Sequence, residues 1–229
     1  MLSKITVWGD SILKGIVLDE QKGRYVPLRD QSCLALTAKR LGIEISNHAH
    51  FGMTSEKGRL LVQRGLQQAK EEGAQAGLIG FGGNDIDYNW RAISEHPEEE
   101  HLPNTPPEQF RRNVEEMIEL HERAGIMPVL MSLPPIDAPR YFNWLSRGLR
   151  AKNILQWLGD VQQIYRSHLS YDAIVREVAR EKGCALLDVR QAFTKLADSL
   201  PYLCLDGIHP NLQGHALMEG VFEAGFAAI

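Results

Sequence analysis

The chain of 229 residues is poor in cysteine, with Cys33, Cys184 and Cys204 as its complete set. The number is odd and no CxxC pair occurs, which argues against a disulfide framework and against a structural zinc site. Reduced thiols in a reducing compartment are the simple reading. Long hydrophobic runs are missing too. No stretch approaches the roughly 20 apolar residues that span a bilayer. The opening MLSKITVWGD is too short and too polar for a signal peptide. These features lead us to expect a cytoplasmic protein with no membrane partner. Basic blocks are also lacking. The formal net charge of -4 is spread along the chain, and basic residues such as Arg111 and Arg112 sit beside acids on predicted helix faces. That weighs against a nucleic-acid partner. Phosphate-cradling loops of the GxxxxGK[ST] or GxGxxG kind are absent.

What the chain does have is an ordinary globular composition, with 44% hydrophobic and 24% charged residues. Its length fits one α/β domain over residues 1–229. Strand candidates alternate with helix candidates. Ile5–Trp8, Ile43–His50, Leu78–Phe81, Pro128–Ser132 and Ala185–Asp188 read as strands. Residues 31–41, 54–72, 107–124 and 170–182, and a last stretch from near Asn211, carry apolar residues at helical spacing. This alternation predicts a parallel sheet of about five strands covered on both faces. Ligands bind beyond the carboxyl ends of such strands, so Ser11, Gly52 and Asn84, which follow the first three strands, should gather at one edge. Residues 85–107 and 133–150 break the alternation. They are long, proline-punctuated connections leaving that same edge, and loops of this length are often functional.

Several short patterns could carry chemistry there. Gly9-Asp10-Ser11 follows a strand, which places the serine in a tight turn expected at a helix N-terminus, where free N–H groups favour negative charge. Asp206 and His209, three positions apart before the last helix, can form the carboxylate–imidazole bond that orients a general base. Gly82-Gly83-Asn84-Asp85 offers close backbone approach and an amide donor. Gly52 offers an unobstructed N–H, with Thr54 as the expected cap of the next helix. Each pattern alone also has a bland reading, as a helix cap or a turn that bonds its own backbone.

Together and in this order they resemble the SGNH-hydrolase superfamily, also called the GDSL lipase/esterase family. The resemblance runs from Gly9 to the final helix through Gly9-Asp10-Ser11, Asn47 with Gly52, Gly82-Gly83-Asn84-Asp85 and Asp206-x-x-His209. It implies a flavodoxin-like three-layer α/β/α sandwich and a carboxylic ester hydrolase. It also implies Ser11 as nucleophile, His209 as base, Asp206 as its support, and an oxyanion hole from Ser11, Gly52 and Asn84. It implies no metal and no organic cofactor. The partner would be a small-molecule ester, with small acyl groups such as acetyl on a carbohydrate preferred because no long apolar lid is visible. A thioesterase or lysophospholipase would use the same machinery. Two departures stand out. Ile12 follows the serine where leucine is common, and His48-Ala49-His50-Phe51 is bulkier than the usual residues before the glycine.

Other residues carry weaker expectations. Asp10, Tyr88, Trp90, Phe142 and Trp144 are candidates for the substrate wall, since aromatic faces suit sugar rings or acyl chains. Alternatively, the aromatics anchor the two long connections to the body. His48 and His50 alternate on a predicted strand and read as polar strand residues before they read as metal ligands. The rival from another class is a non-catalytic flavodoxin-like domain binding a nucleotide or a sugar. Such a module has no need of a serine, an asparagine and an Asp–His pair at one edge.

Overall fold

A computed structural model describes residues 2–229, and Met1 lies outside the described residues. The central strands form on short, largely apolar runs that carry charge only at their ends. β1 (Lys4–Gly9) sends Ile5 and Val7 into one apolar cluster and Trp8 into another. Side chains of a strand alternate between faces, and a central parallel strand must bury both. The chain then makes an antiparallel hairpin, β2 (Ile16–Asp19) with β3 (Arg24–Pro27), which stands apart from the main sheet. Helix α1 (Cys33–Leu41) starts at Ser32, whose side chain accepts from the Ala35 N–H, and ends at Gly42. β4 (Glu44–Asn47) is shorter than the predicted strand. The amides of His48 and His50 still donate to the Val7 and Gly9 carbonyls, but His48 stacks on the Trp8 ring at 4.4 Å and His50 bonds the His48 carbonyl.

Helix α2 (Ser55–Glu71) has Thr54 in the cap position, yet the Thr54 side chain makes no capping bond. Asp85 replaces it, its carboxylate accepting from the Ser55 N–H at 2.9 Å and the Ser55 hydroxyl at 2.6 Å. β5 (Ala76–Gly80) follows, then α3 (Trp90–Glu95), α4 (Pro107–Ala124) and β6 (Met127–Met131). Next come α5 (Ala138–Leu145), α6 (Ala151–Leu158), α7 (Gln162–Lys182), β7 (Ala185–Leu187), α8 (Val189–Thr194) and α9 (Leu212–Ala227). None of the described helices is long and apolar enough to cross a membrane.

The sheet order is β4-β1-β5-β6-β7, all parallel. α2, α4 and α7 cover one face through Val62, Leu66, Met117, Ile118, Tyr171 and Val175. α1, α8 and α9 cover the other through Leu34, Phe193, Met218 and Phe222. The result is the three-layer α/β/α arrangement. Fully burying a side chain such as Phe222 contributes roughly 1.5–3 kcal/mol. In this strand order the direction of winding reverses between β1 and β5, and the crevice beyond their carboxyl ends is where such sheets bind ligands. Ser11 follows β1 and Asn84 follows β5.

The two long connections are not bare loops. The first holds α3, capped by Asn89, and the second holds α5, capped by Asp137. With α6 and the start of α7 they build a separate apolar cluster around Ile93, Ala138, Ile154, Leu158 and Ile164. The cluster forms a helical cap beside the carboxyl edge, where the sequence suggested no lid.

Candidate active site

After Gly9 the chain makes a single helical turn rather than the expected helix. The Asp10 carbonyl accepts from the Lys14 N–H at 3.0 Å and the Ser11 carbonyl from the Ile16 N–H at 2.9 Å. Gly15 closes the turn with φ +75°, and a Cβ there would also press on Ser32 at 2.6 Å. The turn leads into β2 and leaves Ser11 at the sheet edge with 7% of its surface exposed.

The loop before α9 is pinned from both sides. Asp206 Oδ1 accepts from the Ile208 and His209 N–H groups, each at 3.1 Å. The Gly207 carbonyl accepts from the Asp137 N–H at 2.8 Å. Gly207 has φ +77°, and a Cβ would meet the Asp137 carbonyl at 2.7 Å, so the close docking on α5 requires glycine. This brings His209 Nδ1 to 2.7 Å from Asp206 Oδ2, and His209 Nε2 to 2.9 Å from Ser11 Oγ. Burial opposes the charge on Asp206, but the ring and backbone donors overcome it and hold its carboxyl below the usual range. An ionised Asp206 can only accept, so Nδ1 carries the ring proton and Nε2 is left to accept from the Ser11 hydroxyl. Tyr25 and Phe51 flank the imidazole, with ring centroids 5.0 and 6.2 Å from it.

The donors expected around the serine are arranged unevenly. Neither the Ser11 nor the Gly52 N–H bonds any of the described residues. Gly52 sits in an exposed turn with φ +71° and is not among the residues lining the cavity described below. Asn84 directs its amide at the Met53 carbonyl, 3.2 Å away, and at Asp10 Oδ2, 3.4 Å away. The second contact is long, so one amide hydrogen can turn to a ligand at little cost. Asp10 is buried, its Oδ1 accepting from the Ile12 N–H at 2.9 Å. Burial pushes its carboxyl up to about 6, against the pull of that bond and of His209. Asp85, which the sequence left without a role, holds the N-terminus of α2 against the turn that carries Asn84.

Ser11 and His209 open into a cavity of about 730 Å³. Asp10, Tyr88, Trp90 and Trp144 line it as expected. Phe142 does not. It lies on the other side of α5 and packs into the cap cluster, where helical spacing turns it away from the wall that Tyr141, Trp144 and Leu145 share. Sequence reasoning missed Tyr25, Asp87, Trp157, Gln163 and His168, all of which line the cavity. Tyr25 comes from the hairpin, Trp157, Gln163 and His168 from α6 and α7, and Asp87 from the stretch between β5 and α3, two residues past the Gly82-Gly83-Asn84-Asp85 pattern. Asp87 Oδ1 accepts from Trp90 Nε1 at 2.6 Å and from the Tyr141 hydroxyl at 2.7 Å. Burial raises the Asp87 carboxyl despite these bonds. His168 Nδ1 faces Arg190 Nη2 at 2.7 Å, and burial together with that cation pushes its pKa down to about 3.

A Ser–His–Asp set in hydrogen-bond contact at the carboxyl edge of a parallel α/β/α sheet is the architecture of a serine-type hydrolase. The chain belongs to the GDSL-like lipase/acylhydrolase family, whose model matches residues 7–217, and it is a carboxylic ester hydrolase. No curated protein matches its sequence. Solved structures share its fold at low identity. A lipase/acylhydrolase from Enterococcus faecalis is 21% identical over 99% of this chain and 96% of its own, with a TM-score of 0.70. Est24, a carbohydrate acetylesterase from Sinorhizobium meliloti, is 13% identical over 99% of both chains, with a TM-score of 0.71. The esterase EstA from a Pseudoalteromonas species is 13% identical over 99% of this chain and 97% of its own, with a TM-score of 0.62.

Proposed function

We propose that the chain removes small acyl groups, acetyl foremost, from a bulky alcohol such as a carbohydrate, through an acyl-enzyme on Ser11. The observation that carries this reading is the hydrogen-bonded chain Ser11–His209–Asp206 opening into an aromatic-walled cavity. His209 Nε2 takes the hydroxyl proton as Ser11 Oγ attacks the ester carbonyl. The oxyanion is received by the free Ser11 N–H and the Asn84 amide, joined by the Gly52 N–H once the substrate reaches the rim of the cavity where Gly52 stands. The imidazolium, steadied by Asp206, gives its proton to the departing alcohol. Water then attacks the acyl-enzyme with His209 again as base, releasing the acid and restoring Ser11.

The cavity volume supports a large alcohol. It falls within the roughly 300–1,000 Å³ typical of small-molecule sites, far beyond what an acetyl group fills. The fold shared with a carbohydrate acetylesterase is consistent with this assignment. The test is hydrolysis of p-nitrophenyl acetate, butyrate and octanoate by wild type and Ser11→Ala side by side. The acetate should be turned over best, and Ser11→Ala should fall to background. Equal rates in the two proteins would remove Ser11 from the chemistry, and a preference for octanoate would move the acyl chain into the aromatic cavity.

A further inference from the structure

Two polar groups in the cavity have no part in the acyl transfer. Asp87 uses one carboxylate oxygen for both Trp90 and Tyr141, and among the described residues no side-chain donor reaches Oδ2. Its side chain is half-buried and lines the cavity. His168 is 5% exposed and lines the same cavity from α7. Arg190 donates to its Nδ1, which fixes Nδ1 as the acceptor and leaves the proton on Nε2. That Nε2 has no partner among the described residues and is not sealed from the cavity. Arg190 is itself held by Asp172, 3.3 Å from its Nε, and Asp172 takes the Leu133 N–H and Arg176 as well. A buried ion network of this kind is an expensive way to orient one imidazole.

The cavity therefore presents a fixed acceptor at Asp87 and a fixed neutral donor at His168, between aromatic walls. We propose that these two residues determine specificity by gripping the alcohol part of the substrate, Asp87 accepting from a hydroxyl and His168 Nε2–H donating to a ring or hydroxyl oxygen. The matching ligand is a polyhydroxylated ring, which offers donors and acceptors at its rim and C–H faces for Tyr88, Trp90 and Trp157. A carboxylate among aromatic rings also suits a quaternary ammonium. The rings here argue against it. Tyr88, Trp90 and Trp157 stand 5.4, 5.0 and 6.3 Å apart between centroids, in edge and tilted contact. They pack on one another instead of around a common point, so they form no cage for a cation, whereas a sugar ring needs only a single face turned to the cavity.

This inference rests on the reading of Ser11 as an esterase nucleophile, and the experiment separates the two. The first arm compares kcat/KM for a mono-O-acetylated methyl glucoside, for p-nitrophenyl acetate and for acetylcholine, in wild type, Asp87→Asn and His168→Asn. Asparagine at 87 keeps an oxygen for Trp90 and Tyr141, and asparagine at 168 keeps one for Arg190 in the place of Nδ1 while removing the Nε2 donor, so thermal unfolding should confirm that both variants are folded. The ratio of glucoside to p-nitrophenyl activity should fall by about 10–100-fold in Asp87→Asn, as expected for a bond to a charged acceptor, and by a smaller factor of about 3–10 in His168→Asn. An unchanged ratio would overturn the proposal, as would equal loss on both esters. Acetylcholine as the best substrate, lost in Asp87→Asn, would overturn it in favour of a cation site. The second arm needs no chemistry. Methyl glucoside binding by calorimetry should be measurable in Ser11→Ala and about tenfold weaker or more when Asp87→Asn is added. Binding that survives in a protein without esterase activity would uphold the grip and sink only the nucleophile, whereas no binding at all would overturn the grip.

Discussion

Replacing Asp10 with asparagine should stabilise the protein more at neutral pH than in acid. Asp10 is 4% exposed. Burial pushes its carboxyl from 3.8 to about 6, and nearby Asp85 pushes the same way, while the Ile12 amide and His209 pull against them. Between those two values the folded chain binds more protons than the unfolded one. Stability therefore declines as pH rises through the window and stays at the lower level above it. At about 1.4 kcal/mol per pKa unit, the penalty is roughly 1 kcal/mol near pH 4.5 and roughly 3 kcal/mol near pH 8. Asparagine carries no charge and still offers an oxygen to the Ile12 N–H. Its amide would face Asn84 across the long 3.4 Å contact, a small loss that does not depend on pH. Urea unfolding of both proteins at the two pH values gives the measurement. The stability gap between variant and wild type should widen by about 2 kcal/mol from acid to neutral conditions. A gap that stays constant would refute the reasoning, because Asp10 would then titrate in the folded chain as it does in the unfolded one.

Three other perturbations follow from the geometry. Asn84→Ala should lower kcat for ester hydrolysis by roughly 10²–10³, the usual effect of losing one oxyanion donor, and an unaltered kcat would take Asn84 out of the oxyanion hole. Asp206→Asn should keep the fold yet cost about 10⁴ in kcat, because an amide no longer fixes the proton on His209 Nδ1; steady-state kinetics would expose a milder role. Gly58→Ala should destabilise the chain by about 1–3 kcal/mol even though alanine favours helices, because its methyl group would run into the buried Phe81 ring. A neutral or raised Tm would mean that the ring can move aside.

The central strands and the gathering of Ser11 and Asn84 were legible in the sequence for the same physical reason. A parallel strand buried on both faces reads as a largely apolar run, and the residues just beyond such runs must meet at one edge. Asp206 and His209 follow no strand, and the signal there was their spacing, which lets the two side chains bond each other. What escaped notice was structure whose pattern is broken by function or by brevity. α7 begins at Gln162, well before the predicted start at residue 170, because its buried stripe of Ile164, His168, Tyr171 and Val175 contains a histidine where the periodicity wants an apolar residue. The hairpin of β2 and β3 was missed because each strand has only four residues and the turn after Ser11 reads like the start of a helix. α3 and α5 are short, and the prolines around them look like loop punctuation, although Pro139 sits in the first turn of α5, where a helix tolerates it. Asp87 and His168 carry no sequence signal at all. His168 meets Arg190 22 positions away, and Asp87 meets Tyr141 54 positions away as well as Trp90, three residues on.

The cap has a consequence for how this chain can change. Its helices close on their own apolar cluster, while Ser11 and His209 hang from the β1 turn and the loop before α9. Substitutions that reshape Trp90, Trp157 or the α6–α7 corner need not disturb the strands that aim Ser11 and His209. Two halves of one cavity are thus free to drift at different rates, one held by the ester chemistry and the other, as we propose, answering to the alcohol at hand.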